Sequence, residues 1–193
     1  MKFLEAKKYI LARLKKELPS YLSYHSIAHT KDVYDSTGRI AHAENIKGTD
    51  KKLLLTAALY HDCGFITGSH NHEIISCQIV KESLPRFEYS PIQIDIICNM
   101  ILATKIPQSP KTHLEEILCD ADLDYLGRDD FKTIGDKLFW ELQTYGIITD
   151  EIEWNKLQVS FLQKHHYFTI TAKATREEKK EKYLSDLKKS IQP

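Results

Sequence analysis

The sequence LLLTAALYHDCGF, residues 53–65, is an apolar run that ends in a histidine and an aspartate. Its first eight residues are apolar on most sides of a helix, which is typical of a helix buried in the middle of a domain. An ionised carboxylate such as that of Asp62 is costly beside a buried helix end unless it is paired or binds a metal ion. The run therefore predicts a central helix with a polar site at its end.

Helical periodicity continues on both sides of this run. Prolines at 19, 85, 107 and 110 interrupt it, while Gly48-Thr49-Asp50 and Ser90-Pro91 are typical helix starts. No internal repeat, low-complexity linker or strand pattern is evident in the sequence. We therefore predict an all-α fold, a single compact helical bundle. The predicted helices lie at about residues 3–18, 51–60, 70–84, 91–101, 114–124, 129–145, 150–166 and 174–187, and a further helix runs through residues 33–41 and begins near residue 29.

Length, charge and cysteine usage restrict the class of protein. A chain of 193 residues suits one domain better than two, and 27 basic residues balance 27 acidic ones. Zero net charge removes the usual attraction to nucleic acid or to an anionic membrane. The N-terminal helix does not resemble a signal peptide, and the scattered cysteines form no CxxC pair. We expect a cytoplasmic protein with no nucleic-acid or membrane partner, and a homodimer stays open beside a monomer.

Two further polar positions interrupt apolar helical segments. His29 lies near the start of the second helix, and Asp122 lies in the apolar surroundings of CDADLD at residues 119–124. Each residue alone would more often be a capping or hydrogen-bonded group. Together with His61 and Asp62 they form a mixed nitrogen and oxygen set, which suits a divalent transition metal such as Zn, Mn, Fe or Ni better than calcium.

Four segments resemble those of the HD superfamily of metal-dependent phosphohydrolases. YHSIAHTKDV at residues 24–33 is similar to the first motif of HD enzymes, including the cyclic nucleotide phosphodiesterases. ALYHDCGF at 58–65 resembles the segment that carries the HD pair, while HEIISCQIV at 72–80 and DADLDYLG at 120–127 resemble segments of small bacterial HD hydrolases. The resemblance implies one HD domain over residues 1–193, with a metal-binding core at about 21–130 and additional C-terminal helices.

The resemblance also implies a metal centre and a catalytic acid. Its ligands would be His29, His61, Asp62 and Asp122, around a divalent ion whose identity (Mn, Mg, Zn, Ni, Co or Fe) the sequence leaves open. Asp62 would be catalytic as well and would bridge to a second ion. His25 would protonate the leaving oxygen. Dinuclear relatives usually carry an I-x-x-H histidine where this chain has ILATK at 101–105, so a second ion would be held weakly.

Further residues are expected near the substrate or behind the ligands. Asp120 would orient a histidine ligand, and the alternative that Asp120 rather than Asp122 is the metal ligand stays open. His72 and Glu73 would either reach the pocket or stand at an exposed helix start. In place of the missing histidine, positive charge toward phosphate oxygens would come from Lys105, Arg128 and His165.

The chemistry expected from such a site is phosphoester hydrolysis. A divalent ion lowers the pKa of its bound water toward ~7, and the resulting hydroxide attacks phosphorus. The expected partner is a small phosphorylated substrate, a nucleotide or cyclic nucleotide on family grounds. Two alternatives stay open at this point: an HD-fold di-iron oxygenase, which needs a histidine-rich second site, and a non-catalytic nucleotide-binding sensor.

Overall fold

The computed structural model describes residues 1–191, which form nine α-helices and three short 3₁₀ segments, with no strand in that part of the chain. The all-α prediction is confirmed. The helices are α1 (Phe3–Glu17), α2 (Ile27–Ala43), α3 (Gly48–Tyr60), α4 (His72–Ser83), α5 (Pro91–Ala103), α6 (His113–Asp122), α7 (Phe131–Thr144), α8 (Glu151–Lys164) and α9 (Ile170–Ser190). The 3₁₀ segments are Cys63–Ile66, Leu84–Phe87 and Asp124–Gly127.

Helix α3 lies in the middle of the domain, as its sequence predicts. Its side chains from Leu53 to Tyr60 are almost all buried, and it packs against α1, α2, α5 and α6. Burial of a large apolar side chain contributes roughly 1.5–3 kcal/mol relative to leaving it exposed. This packing fixes the end of α3, and with it His61 and Asp62, in the interior.

Several helix starts differ from the sequence-based prediction: α2 and α3 begin earlier, at Ile27 and Gly48, and the starts of α4 and α9 have identifiable causes. Helix α4 begins at His72 rather than near residue 70, because Asn71 adopts a left-handed conformation with φ of 53°. Helix α9 begins at Ile170, four residues before the predicted start, because the Thr169 side chain caps it by accepting a hydrogen bond from the backbone N–H of Ala172 at 3.1 Å.

The C-terminal helices pack on the segment that comes after α6. A Cβ atom on Gly127 would lie 2.4 Å from the carbonyl oxygen of Arg176, so only glycine permits this approach of α9. Asp124 is buried there and accepts hydrogen bonds from Arg39 of α2 at 2.8 Å and from Arg176 of α9 at 2.7 Å. These contacts hold a second, smaller hydrophobic cluster against the one around α3.

Helix α9 packs through a narrow stripe, as its charged sequence predicts. Only Ala172, Lys180 and Leu184 are buried among its 21 residues. Within residues 1–191, no helix has both the length and the apolar character that crossing a membrane requires.

Candidate metal centre

Three helix ends bring His29, His61 and Asp122 together. His29 lies in the first turn of α2, His61 directly follows α3, and Asp122 is the last residue of α6. Each offers one potential ligand atom, and these atoms all lie within 4.8 Å of one another. The Oδ1 atom of Asp122 is 3.2 Å from Nε2 of His29 and 3.3 Å from Nε2 of His61.

Asp62 approaches the same two imidazoles from its own position after α3. Its Oδ2 atom lies 3.2 Å from Nε2 of His29 and 3.1 Å from Nε2 of His61. The structure therefore brings the four predicted ligands to one point, with two imidazole nitrogens facing two carboxylates. Their role as ligands stays a prediction.

The end of α3 sets the orientation of His61. Its Nδ1–H donates to the carbonyl oxygen of Ala58 at 2.8 Å, one of the last carbonyls of the helix, which lack partners within the helix. Because Nδ1 is engaged by that carbonyl, Nε2 is the ring nitrogen that faces the carboxylates, and it would be the atom that binds a metal once the ring is neutral.

The two buried carboxylates at this point are balanced by protons on the imidazoles when no cation is bound. Burial lowers the pKa of His29, but hydrogen bonds and charge from Asp122 and Asp62 outweigh it and raise the pKa to about 9. Burial raises the pKa of Asp122, yet hydrogen bonds from His29 and His61 outweigh that effect and lower it to about 2. The two Nε2 atoms lie 3.3 Å apart, so two neutral rings would set their lone pairs against each other. A divalent cation fits this donor set, because both imidazoles and both carboxylates can share it.

Comparison with known proteins identifies the family. The family model described as HD domain matches residues 26–124, about half of the chain. The chain belongs to the HD family. HD domains bind divalent metals and form a superfamily of metal-dependent hydrolases.

One curated relative matches the chain but adds no activity. An uncharacterized protein of Clostridium beijerinckii is 34% identical over 108 residues, which is 52% of this chain and 66% of that protein. The alignment thus spans slightly less than two thirds of the relative's own length. No solved structure matches the chain. The HD match ends at residue 124, so α7, α8 and α9 lie outside it.

In this HD domain His72 and Glu73 reach the site rather than an exposed surface. The Nε2 atom of His72 lies 3.4 Å from Oδ1 of Asp62 and 3.5 Å from Oε1 of Glu73, and Glu73 is buried. A Cβ atom on Gly64 would lie 2.1 Å from the carbonyl oxygen of His72, so glycine allows the start of α4 to come this close. Asp62 therefore directs one oxygen to His29 and His61 and the other to His72.

His25 is held by a residue that the sequence did not single out. Its Nδ1–H donates to Oε1 of Glu141, whose Oε2 atom accepts the backbone N–H groups of Tyr24 at 2.8 Å and His25 at 3.1 Å. Burial raises the pKa of Glu141, but the interaction with His25 outweighs it and lowers that pKa. The His25 ring also stacks on Phe65, with ring centroids 3.9 Å apart. Two contacts thus fix the imidazole beside the HD residues.

A signal for Glu141 does exist in the sequence. Phe131, Leu138, Glu141 and Leu142 recur at helical spacing on the inner side of α7, so a glutamate occupies a position where the period calls for an apolar residue. A carboxylate at such a position is buried and needs a partner.

The predicted role of Asp120 is wrong. Its two carboxylate oxygens accept the backbone N–H groups of Phe168 at 2.9 Å and Thr169 at 2.7 Å. Asp120 and Asp122 are two residues apart on a helix and point in directions ~200° apart, so only one can face the histidines. Asp120 instead ties the segment before α9 to α6, and the carbonyl of Ala58 is what orients His61.

The three predicted sources of positive charge do not reach the site, and that prediction is also wrong. Arg128 is paired with Asp32 at 2.8 Å and Asp130 at 2.7 Å. Both ring nitrogens of His165 are buried, and burial lowers its pKa to about 3, so the ring is neutral. Lys105 is exposed and does not line the cavity at the site.

A cavity of about 400 Å³ opens from the HD residues toward α7 and α8. His25, His29, Asp62 and Asp122 line one side of it. The other side consists mainly of aliphatic and aromatic side chains, among them Leu138, Leu142, Trp154, Leu157 and Phe161. We refer to these two sides as the polar wall and the apolar wall.

Proposed function

We propose that this HD protein is a metal-dependent phosphohydrolase that cleaves the ester bond of a small phosphorylated molecule. The observation that carries the proposal is the position of His25. Held by Glu141, it lines the same cavity as His29, Asp62 and Asp122. A proton donor and a metal-ligand set on one wall are the two parts that hydrolysis of an unactivated phosphoester requires.

The metal would be held by His29, His61, Asp62 and Asp122. When bound, a divalent ion lowers the pKa of a coordinated water and offsets negative charge on the phosphoryl oxygens. The residues of this chain keep the ligand geometry fixed: Ala58 holds the tautomer of His61, and the packing of α3 holds both residues of the HD pair. Fixed ligands need no rearrangement during the reaction.

His25 would supply the proton for the departing oxygen. Because Glu141 engages Nδ1, Nε2 is the ring nitrogen that can donate to a substrate in the cavity. In the reaction, the water oxygen forms the new bond to phosphorus, the ester P–O bond breaks, and the proton from His25 goes to the leaving alkoxide. The proton lost by the attacking water restores the charged imidazole, so the protein is unchanged at the end. Glu141 fixes the orientation of the ring.

The direct experiment is release of inorganic phosphate by the purified protein. A panel of phosphomonoesters and phosphodiesters would be assayed with Mn, Mg, Ni and Co, with the His61→Ala protein as the blank. We expect release by the wild-type protein that depends on the metal and is absent from the blank. Absence of release from every ester with every metal would contradict the proposal and favour the sensor.

A di-iron oxygenase is the second candidate, and one observation favours it. Asp62, His72 and Glu73 lie together next to the first ligand set, so a second ion has side chains to bind even without the I-x-x-H histidine. Metal analysis and oxygen uptake distinguish the two candidates. The oxygenase requires two iron ions per chain and oxygen consumption that accompanies substrate loss, whereas a phosphohydrolase releases phosphate under anaerobic conditions.

A further inference from the structure

The cavity has no lysine or arginine to hold additional phosphate groups: none lines it among residues 1–191. Asp62, Asp122 and Glu73 do line it, so any phosphate beyond the one at the metal would face carboxylates without the balancing charge of a lysine or an arginine. Sites for polyphosphates normally supply arginine or lysine to each phosphate. The cavity therefore suits a substrate with a single phosphate.

The apolar wall is also a poor match for a nucleobase or a sugar. It presents leucine, phenylalanine and tryptophan side chains from α7 and α8, with the amide of Gln158 as one of its few polar groups. The amide N–H of Gln158 already donates to Asn155 at 3.2 Å. A base or a sugar placed there would lose hydrogen bonds to water and regain few, which costs about 1–3 kcal/mol for each unsatisfied group.

Apolar side chains continue to the rim of the cavity. Leu157 and Ile106 both line it, yet they remain 42% and 52% exposed to solvent. Single exposed apolar residues are common, but these two also line the cavity, so they add apolar surface at its opening. A ligand that lies along this wall would cover both.

We propose that the substrate is a phosphomonoester of an apolar alcohol, with an alkyl or aryl group that lies along α7 and α8. This inference rests on the proposed phosphohydrolase function and names its substrate class in place of a nucleotide. At ~30 Å³ for each non-hydrogen atom, about the volume of a water molecule in the liquid, the cavity has room for roughly a dozen. The phosphate would lie at the polar wall, with the ester oxygen beside His25.

The test is a binding series that does not depend on turnover. Straight-chain alkylphosphonates of four, six, eight and ten carbons (non-hydrolysable analogues) would be titrated by calorimetry into the Mn²⁺-loaded protein under anaerobic conditions. Each buried methylene should tighten binding about fourfold, until the cavity is filled. Adenosine 5′-monophosphate serves as the comparison ligand and should bind more weakly than octylphosphonate.

Matched variants locate the alkyl chain. Leu157→Asn changes a partly exposed side chain on the apolar wall, and Leu4→Asn changes a leucine on α1 that is 76% exposed and does not line the cavity. Leu157→Asn should weaken octylphosphonate at least fourfold and leave butylphosphonate within twofold. Leu4→Asn should change neither ligand. A second wall variant, Leu142→Asn, repeats the test on α7.

The outcomes separate this inference from the proposed function. Affinity that does not rise with chain length, or a nucleotide that binds as tightly as octylphosphonate, overturns the apolar-substrate inference even if nucleotides are hydrolysed. Affinity that rises with chain length and falls in the Leu157→Asn and Leu142→Asn proteins supports it. If that pattern appears but octyl phosphate is not hydrolysed with any metal, the substrate-binding inference stands and the proposed hydrolysis fails.

Discussion

The two walls of the cavity come from different parts of the chain and carry different kinds of information. The polar wall is built by residues 25–122 from helix ends and motifs, nearly all of them inside the HD match. The apolar wall is built by α7 and α8, which lie beyond it. Under the proposed function, the reaction and the choice of substrate would be encoded in separate stretches. Glu141 connects the two, because it sits on α7 and holds His25.

Removal of a ligand should break the polar wall and leave the apolar wall intact. His61→Ala should lose its bound metal and at least ~10³-fold of the phosphate release, because the metal supplies several kcal/mol of transition-state stabilisation. Added Mn²⁺ should raise the melting temperature of the wild-type protein but not that of the variant, since metal bound only to the folded state stabilises it. The control is His42→Ala, an exposed histidine on α2. Full metal occupancy in the His61→Ala protein contradicts the centre.

The second-largest effect on turnover is expected from His25 and Glu141, which form the contact between the two walls. His25→Ala should lower turnover of alkyl phosphates by about 10²–10⁴-fold and retain the metal, because a general acid typically contributes that much. The defect should shrink for nitrophenyl phosphate, whose leaving group departs without a proton. Glu141→Gln should show the same selectivity to a smaller extent.

A double variant tests whether Glu141 acts through His25. If it does, the His25→Ala, Glu141→Gln protein should be no slower than His25→Ala alone, since residues that act as a unit are not additive. If the rate losses of the two single variants add in the double variant, Glu141 does not act through His25. If the rate falls equally for all leaving groups, both residues have a structural or binding role instead.

Variants of Asp120 and Asp122 test whether metal binding and packing depend on different residues of α6. Asp122→Asn should lose metal affinity. Asp120→Asn should keep the metal and lower the free energy of unfolding by about 1–3 kcal/mol, because an amide N–H₂ would face the buried N–H groups of Phe168 and Thr169. Urea unfolding with a chelator present measures stability without the contribution of metal. If Asp120→Asn instead loses the metal and Asp122→Asn loses only stability, the roles assigned to the two aspartates must be exchanged.

The smallest effect concerns the stability of the C-terminal half. Burial and the nearby Lys180 lower the pKa of His165 to about 3, so the folded state keeps the ring neutral. The unfolded chain binds a proton near pH 6.5, so stability falls as the pH falls below that value, by at most ~1.4 kcal/mol per unit. Between pH 7 and 5.5 the wild-type protein should lose about 1 kcal/mol more than His165→Phe. Equal losses of stability in the two proteins would mean that water reaches the His165 ring in the folded state and that its pKa is not lowered.

The sequence predicts the polar wall well for a physical reason. Charged residues at the ends of buried helices are costly without a partner, so His61, Asp62 and Asp122 stand out against their apolar neighbours. The apolar wall gives no such signal, because Leu138 and Leu142 have the spacing of ordinary core residues. Whether a helical stripe faces a core or a cavity depends on tertiary packing alone. The prediction for Arg128 failed for the same reason: tertiary packing brings Asp32 and Asp130 next to it, and they pair with its charge.

The run DADLD at residues 120–124 has a consequence for how such a protein can change over time. Its three acids face three ways, toward the backbone before α9, toward the histidines, and toward Arg39 and Arg176. A single inserted residue would rotate the C-terminal part of the run by about 100° relative to its start and separate the three contacts at once. The length of this run is therefore as constrained as its composition. Helix α7 is tied to the polar wall through Glu141, so under the proposed function substrate preference would change through α7 and α8 while the predicted metal ligands stay in place.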